Sequence, residues 1–360
     1  MKAATAEIST KALRHNLDVI KEHVPHSKIV AVVKANAYGH GLYHIAATLN
    51  DKVDAFAVAR LDEALTLREK GIKKPIILLE GFFNKEDLPF IARSEIFTAV
   101  HDLEQLEAIE TTHVEKPLHC WLKIDIGMHR LGASPEDIFK MKERLEACPN
   151  VQKPIGLISH LSVADTPSEE NYNKQQIDFF NEIAQHFNGD ICLSNSAGIL
   201  LWPKSHTTWV RPGIIMYGIS PFEDKNGADF NLEPVMTLKS SIIAIRKVKK
   251  GAKVGYGAAW TAPFDTTIGI VATGYGDGYP RTAPNGTPVL INNRIVPTAG
   301  HVCMDMLFVD LGENSQDKVG DEAILWGRGL PVETIAKACG TIPYELVCRV
   351  MPRVSVEIVH

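Results

Sequence analysis

From residue 28 onward, short runs that are apolar at nearly every position alternate with longer stretches whose apolar residues recur every three or four positions. The runs are KIVAVVKANA (28–37), DAFAVAR (54–60), PIILLEG (75–81), FTAVH (97–101), LHCWLKIDIG (118–127), PIGLISHL (154–161), ICLSNSAG (191–198) and TWVRPGIIMYG (208–218). Such continuity marks strands buried on both faces, as in a parallel sheet covered by helices. The intervening LDEALTLREKG, NKEDLPFIARSE, DLEQLEAIET and SPEDIFKMKERLEAC have helical periodicity. Several open on Asp, Asn or Ser, side chains able to accept an otherwise unbonded backbone N–H at a helix start. Eight strand–helix units in about 220 residues fit a closed (β/α)8 TIM-type barrel better than an open doubly wound sheet. No GxGxxG follows the first strand, which weighs against a dinucleotide-binding fold.

After Gly218 the pattern changes to strands separated by turn signals at KKG, PNG and NNR, with PVETIAKAC as the one clear late helix. The reading is an α/β barrel over residues 8–230 followed by a mostly β domain over 231–360, to which residues 1–7 can add a strand.

Composition narrows the class. A net charge of −5 argues against general nucleic-acid binding, which needs a basic face. The N-terminus lacks the apolar core of a signal peptide, and no run is apolar enough to span a membrane. Six cysteines are spread singly, without paired metal-ligand spacing. A cytoplasmic protein with buried free thiols, and with no metal, membrane or nucleic-acid partner, is the expectation.

Barrel enzymes place their chemistry at the C-terminal ends of the strands. Here those ends carry Lys34 and Tyr38, Lys123 and Arg130, His160, Asn195 and Ser196, then Arg211 and Gly213. Lys34 follows an apolar run; it either snorkels to water or stays buried as a neutral amine able to form a Schiff base. Ser196 and the Gly213–Ile214 backbone lie after strands seven and eight, a common phosphate position in barrels, though a serine turn and a packing glycine read the same way. A ligand with both an aldehyde and a phosphate would join the two groups, and pyridoxal phosphate is such a ligand. His160 fits a core histidine as well as a catalytic one. Arg211, inside an apolar strand, needs either an ion-pair partner or a ligand.

KANAYGHG (34–41) resembles the alanine racemase family of fold-type III pyridoxal-phosphate enzymes. Further matching stretches are LKIDIGMHRLG, SNSAG, VRPGIIMYG, VGYGAAW, GYGDGYPR, CMDM and PYELVCRVMPRV, so the resemblance covers nearly the whole chain. It implies that Lys34 holds the cofactor and acts as one base, and that Tyr256, reaching the neighbouring subunit of a homodimer with shared active sites, acts as the other. It implies that Tyr38, Ser196, Gly213, Ile214 and Tyr344 hold the phosphate, with Asn195 among the cofactor-binding residues. Arg211 is implied to face the pyridine nitrogen, with His160 bridging between it and the cofactor region. Arg130 would meet the phenolic oxygen, and Met304 from the partner chain the substrate carboxylate. Lys123 stands where many members carry a carbamylated lysine. Tyr275 and His301 fall at the entrance, His301 in place of an arginine found in some members.

The implied activity is interconversion of L- and D-alanine, supplying D-alanine for cell wall or consuming it. Racemases of serine, lysine or broad range share the fold. An amino-acid decarboxylase and a non-enzymatic cofactor carrier are the more distant rivals. The decarboxylases' glycine-rich phosphate stretch is missing, and a carrier would not need Tyr256 or the β domain.

Overall fold

A computed structural model describes residues 3–360. The chain forms two compact units, one of Leu17–Met216 and one of the segment up to Asn16 with Tyr217–His360. The first strand, β1 (Thr5–Ser9), belongs to the latter.

Leu17–Met216 is a closed barrel of eight parallel strands. They are β2 (Lys28–Val32), β3 (Ala55–Val58), β4 (Ile76–Leu78), β5 (Phe97–Val100), β6 (Leu118–Lys123), β7 (Val151–Ile158), β8 (Ile191–Cys192) and β9 (Trp209–Val210). Each pairs with the next in sequence, and β2 closes the ring on β9, Ile29 lying opposite Val210. All residues of β3 and β4 are buried. One face fills the interior and the other lies under helices, which is why these strands are apolar at every position. Burying each such aliphatic side chain stabilises by roughly 1.5–3 kcal/mol, more than helix propensity contributes at any one residue.

Helices occupy Leu61–Glu69, Leu88–Arg93, Leu103–Thr111 and Ile138–Ala147, as the periodicity predicts. Asp102 caps the third by accepting the Gln105 N–H at 2.7 Å. Most of the strands are shorter than their apolar runs, and three of them end in a distinct way. The 28–37 run leaves the sheet after Val32, the 191–198 run turns into a helix at Ser196–Leu201, and the last stops at Val210, before Arg211 and Pro212. Proline cannot donate to a ladder, and the first two departures build the strand-end turns described below.

The other unit is a mixed sheet around the long strand β10 (Met236–Val248). It is followed by a small ladder of β11 (Lys253–Val254) and β12 (Trp260–Thr261), then β13 (Thr266–Val271), β14 (Pro288–Ile291), β15 (Arg294–Pro297), β16 (Leu307–Asp310), β17 (Glu322–Trp326) and β18 (Ser355–Val359). The first half of β10 pairs with β1 and β17, and its second half with β13. β1 also runs parallel to β18. The NNR signal is a hairpin: Asn292 and Asn293 take φ of 48° and 60°, the left-handed pair that a two-residue turn between twisted strands requires.

The late helix is present at Val332–Cys339, and a second at Pro343–Cys348 departs from the expected single one. Of the six cysteines, Cys120, Cys148 and Cys192 are buried, Cys303 and Cys339 half-buried, and Cys348 exposed. Among the described residues, no helix is long and apolar enough to cross a membrane.

Candidate active site

Lys34 opens a turn in which the next four residues all have positive φ: Ala35 52°, Asn36 54°, Ala37 53° and Tyr38 53°. This is a left-handed helical turn of L-residues, costing roughly 1–2 kcal/mol per residue, and it persists only where its surroundings hold it. Three side chains do so. Glu63 Oε1 accepts the Ala35 N–H at 2.6 Å. Asn36 Oδ1 accepts the Leu42 N–H at 2.8 Å. His40 Nδ1 lies 2.8 Å from the Tyr38 carbonyl and 3.1 Å from that of Ala37, so Nδ1 carries the proton and donates. Complete burial pushes the His40 pKa down to about 4. The turn directs Lys34 and Tyr38 from a single short segment at the end of β2.

Four cations act on one another at this rim. Burial lowers the Lys34 pKa; Glu80 and Glu63 oppose that, while Arg130 and Arg211 add to it. Lys123, at the end of β6, donates to the Leu79 carbonyl at 2.8 Å. Burial, then Arg211 and Arg130, push its pKa down to about 8. His160 is held well below its ordinary 6.5 by burial and by Arg211, Arg130, Lys123 and Lys34, which keeps it neutral. Glu80 and Glu63 are the carboxylates acting against these cations at Lys34 among the described residues, so the rim suits an anionic ligand.

Arg211 is buried, and among the described residues no carboxylate forms an ion pair with it. Nη1 donates to the Cys192 carbonyl at 3.0 Å, and Nη2 to those of Ser159 at 2.5 Å and Leu193 at 3.3 Å. Neutral acceptors leave its charge uncompensated, as expected of an arginine kept for a ligand.

Beside it, Ser196 Oγ accepts the Gly213 N–H at 2.9 Å. A Cβ built on Gly213 would stand 2.6 Å from the Tyr38 hydroxyl and 3.8 Å from Ser196 Oγ. A side chain here would crowd the Tyr38 hydroxyl, so with glycine two hydroxyls meet a bare stretch of backbone that continues to Ile214. Asn195 sets the segment: its Oδ1 accepts the Gly198 N–H at 2.9 Å and its Nδ2 donates to Leu161 O at 3.4 Å. This cradle of hydroxyls and accessible backbone, with a desolvated lysine on the same barrel, fits a ligand carrying both phosphate and aldehyde.

Tyr256, Tyr275, His301, Met304 and Tyr344 lie in the β unit. Tyr256 sits in the turn between β11 and β12, between Gly255 (φ 74°) and Gly257 (φ 66°), and is 72% exposed. It does not pack on the sheet as a structural hairpin tyrosine would. A Cβ on Gly257 would stand 3.9 Å from Cδ2 of the exposed His301. Met304 is 54% exposed, and its carbonyl accepts the Gly276 N–H at 2.8 Å, joining its loop to that of Tyr275. Arg353 ties the same two loops, Nε to Asp277 at 2.7 Å and Nη1 to Asp305 at 2.9 Å. Tyr344 is half-buried on the Pro343–Cys348 helix.

Glu63, Glu80, His40 and Arg353 are additions that the strand-end reading did not reach. A glutamate three residues after Arg60, at a helix start, was the visible signal for Glu63, but only as a cap.

Two family models match the chain, "Alanine racemase, N-terminal domain" over residues 8–221 and "Alanine racemase, C-terminal domain" over 235–358. It is 57% identical over 357 residues to an alanine racemase of Photobacterium profundum, covering 99% of each chain. It is 54% identical over 359 residues to one of Haemophilus influenzae, covering 100% of this chain and 99% of the other. The solved biosynthetic alanine racemase from Pseudomonas aeruginosa superposes with a TM-score of 0.95 at 41% identity, all of both chains covered. Alanine racemase from Acinetobacter baumannii gives 0.93 at 37%, again over all of both chains.

Proposed function

The chain belongs to the alanine racemase family, and on that premise we propose that it interconverts L- and D-alanine with pyridoxal phosphate at the barrel mouth and two bases, Lys34 and Tyr256 of the partner subunit. The observation that carries the reading is the joint presence of a half-buried lysine, four interacting cations and the Gly213–Ser196–Tyr38 cradle on one barrel.

When bound, pyridoxal phosphate takes up the electron pair left at the substrate α-carbon. The protein's share is holding and proton transfer. Tyr38, Ser196 and the Gly213–Ile214 backbone, with Tyr344, hold the phosphate, and Asn195 keeps Ser196 in place. Arg211 would face the ring nitrogen, with His160 bridging between it and the cofactor region. Arg130 would face the phenolic oxygen. Lys123, with its lowered pKa, is the site for a carbamate that would orient Arg130.

Racemisation needs a proton removed on one face of the α-carbon and returned on the other. Lys34 Nζ, its pKa lowered by burial, takes or gives it on one side; the Tyr256 hydroxyl oxygen does so on the opposite side. Tyr256 stands out from its own sheet, and Met304 is exposed in the same unit. These exposures support a homodimer in which each β unit completes a neighbouring barrel, with Met304 at the substrate carboxylate and Tyr275 and His301 at the entrance.

Proton NMR of L-alanine with the purified enzyme in heavy water, followed by chiral analysis, tests the reaction. Deuterium at the α-carbon together with D-alanine is the expected result. No exchange with alanine, but exchange with serine or lysine, would move the substrate within the fold.

A further inference from the structure

We propose that Glu63 is a positioning residue for the reaction, its carboxylate fastening the left-handed turn that carries Lys34 to the end of β3. The inference rests on the reading of Lys34 given above.

The two oxygens of Glu63 have different partners. Oε2 accepts the N–H groups of Ala59 at 3.0 Å and Arg60 at 3.1 Å, closing the start of the Leu61–Glu69 helix in the manner of an ordinary cap. Oε1 accepts the Ala35 N–H at 2.6 Å, 28 residues away in sequence. A cap needs one oxygen only. The second reaches the residue directly after Lys34, where four successive L-residues hold an unfavourable conformation. Its contact is charge-assisted, and short bonds to carboxylates are the stronger kind. His40 and Asn36 hold the far end of the same turn from within it, whereas Glu63 is the side chain that ties its beginning to a neighbouring barrel strand. The negative charge also acts on Lys34 itself, favouring its protonated form against burial. Lys34 therefore depends on Glu63 for the direction of its backbone and for part of its charge balance.

The alternative is that Glu63 only caps its helix. Glu63→Gln separates the two, because glutamine serves at this cap position while the charge and one acceptor oxygen are lost. The holoenzyme and its Glu63→Gln and Glu63→Ala forms would be compared for melting temperature, cofactor dissociation constant, kcat, KM and amide exchange at Ala35. The expected result for Glu63→Gln is a near-unchanged melting temperature and a cofactor dissociation constant raised at least about tenfold. A kcat loss larger than any change in KM, and faster exchange at Ala35, should accompany it. Wild-type cofactor affinity and kcat, or a loss of melting temperature alone, would reduce Glu63 to a cap and overturn the proposal. If the variants fail to fold, exchange in the wild-type chain decides. Protection of the Ala35 amide comparable to that of β3 supports the contact, and exchange at the free-chain rate overturns it. Failure of the underlying reading looks different: Lys34→Ala would keep the cofactor's visible absorption and racemisation, while the Ala35 amide still responded to Glu63.

Discussion

Gly213 and Tyr38 stand so close that a Cβ on the glycine would reach within 2.6 Å of the tyrosine hydroxyl. Thr or Ser at position 213 would fill the space in which the Tyr38 and Ser196 hydroxyls face the backbone. Gly213→Ala is expected to leave the barrel folded and to weaken cofactor binding by roughly tenfold, about 1.4 kcal/mol. Titrating the cofactor into each apoenzyme by absorbance checks it. Equal affinities would mean that the cradle does not hold the phosphate.

Acid should destabilise the protein through its buried neutral histidines. The unfolded chain takes up a proton at His40 near 6.5, while the folded chain resists until about 4. The stability is complete above about pH 6.5 and is lost as pH falls through that window, by up to about 1.4 kcal/mol per pH unit. His160 has the same sign, its pKa also lying below the unfolded value. His40→Gln keeps a donor for the two carbonyls and removes the titration. Unfolding free energies at about pH 5 and pH 7 should therefore differ less in the variant than in the wild type, by on the order of 1–3 kcal/mol. An unchanged difference would show that His40 titrates alike in both states.

The barrel was legible because its strands are buried on both faces, so IVAV in β2 and AFAV in β3 read directly as apolar runs. The first apolar run continues past the end of its strand. KANA looks extended by composition, but its left-handed turn is imposed by Glu63 and His40, and Glu63 lies outside any local window. The eighth apolar run also outlasts its strand, with Pro212 and Gly213 as the stop signal. Arg211 stands out in the sequence as an arginine in an apolar strand. That three carbonyls rather than a carboxylate would hold it depends on how β7, β8 and β9 converge, which no sequence spacing encodes. The helix at Pro343–Cys348 is not legible as a period because six residues are too few to establish one, although its proline marks a first turn.

Lys123 gives a second pH-linked prediction. Its pKa of about 8 leaves a large share of neutral amine under mildly alkaline conditions. The Nζ lone pair can then bond to the carbon of carbon dioxide, the nitrogen releasing a proton to water, and a cation becomes an anion close to Arg130. Enzyme stripped of carbon dioxide should regain activity with bicarbonate, and carbon-13 bicarbonate should give a protein-bound carbamate signal. Lys123→Met should show neither. No signal in the wild type would leave Lys123 as a buried amine bonded to the Leu79 carbonyl.

The central claim is that each site joins Lys34 of one chain to Tyr256 of another. Lys34→Ala and Tyr256→Phe should each be inactive or nearly so as pure dimers. Mixed under conditions that let subunits exchange, half the dimers become hybrids, and each hybrid holds one intact site and one doubly defective site. Racemisation should then rise to about a quarter of the wild-type rate, the statistical share of intact sites in a two-fold dimer. No recovery after demonstrated subunit exchange would contradict the shared two-base site.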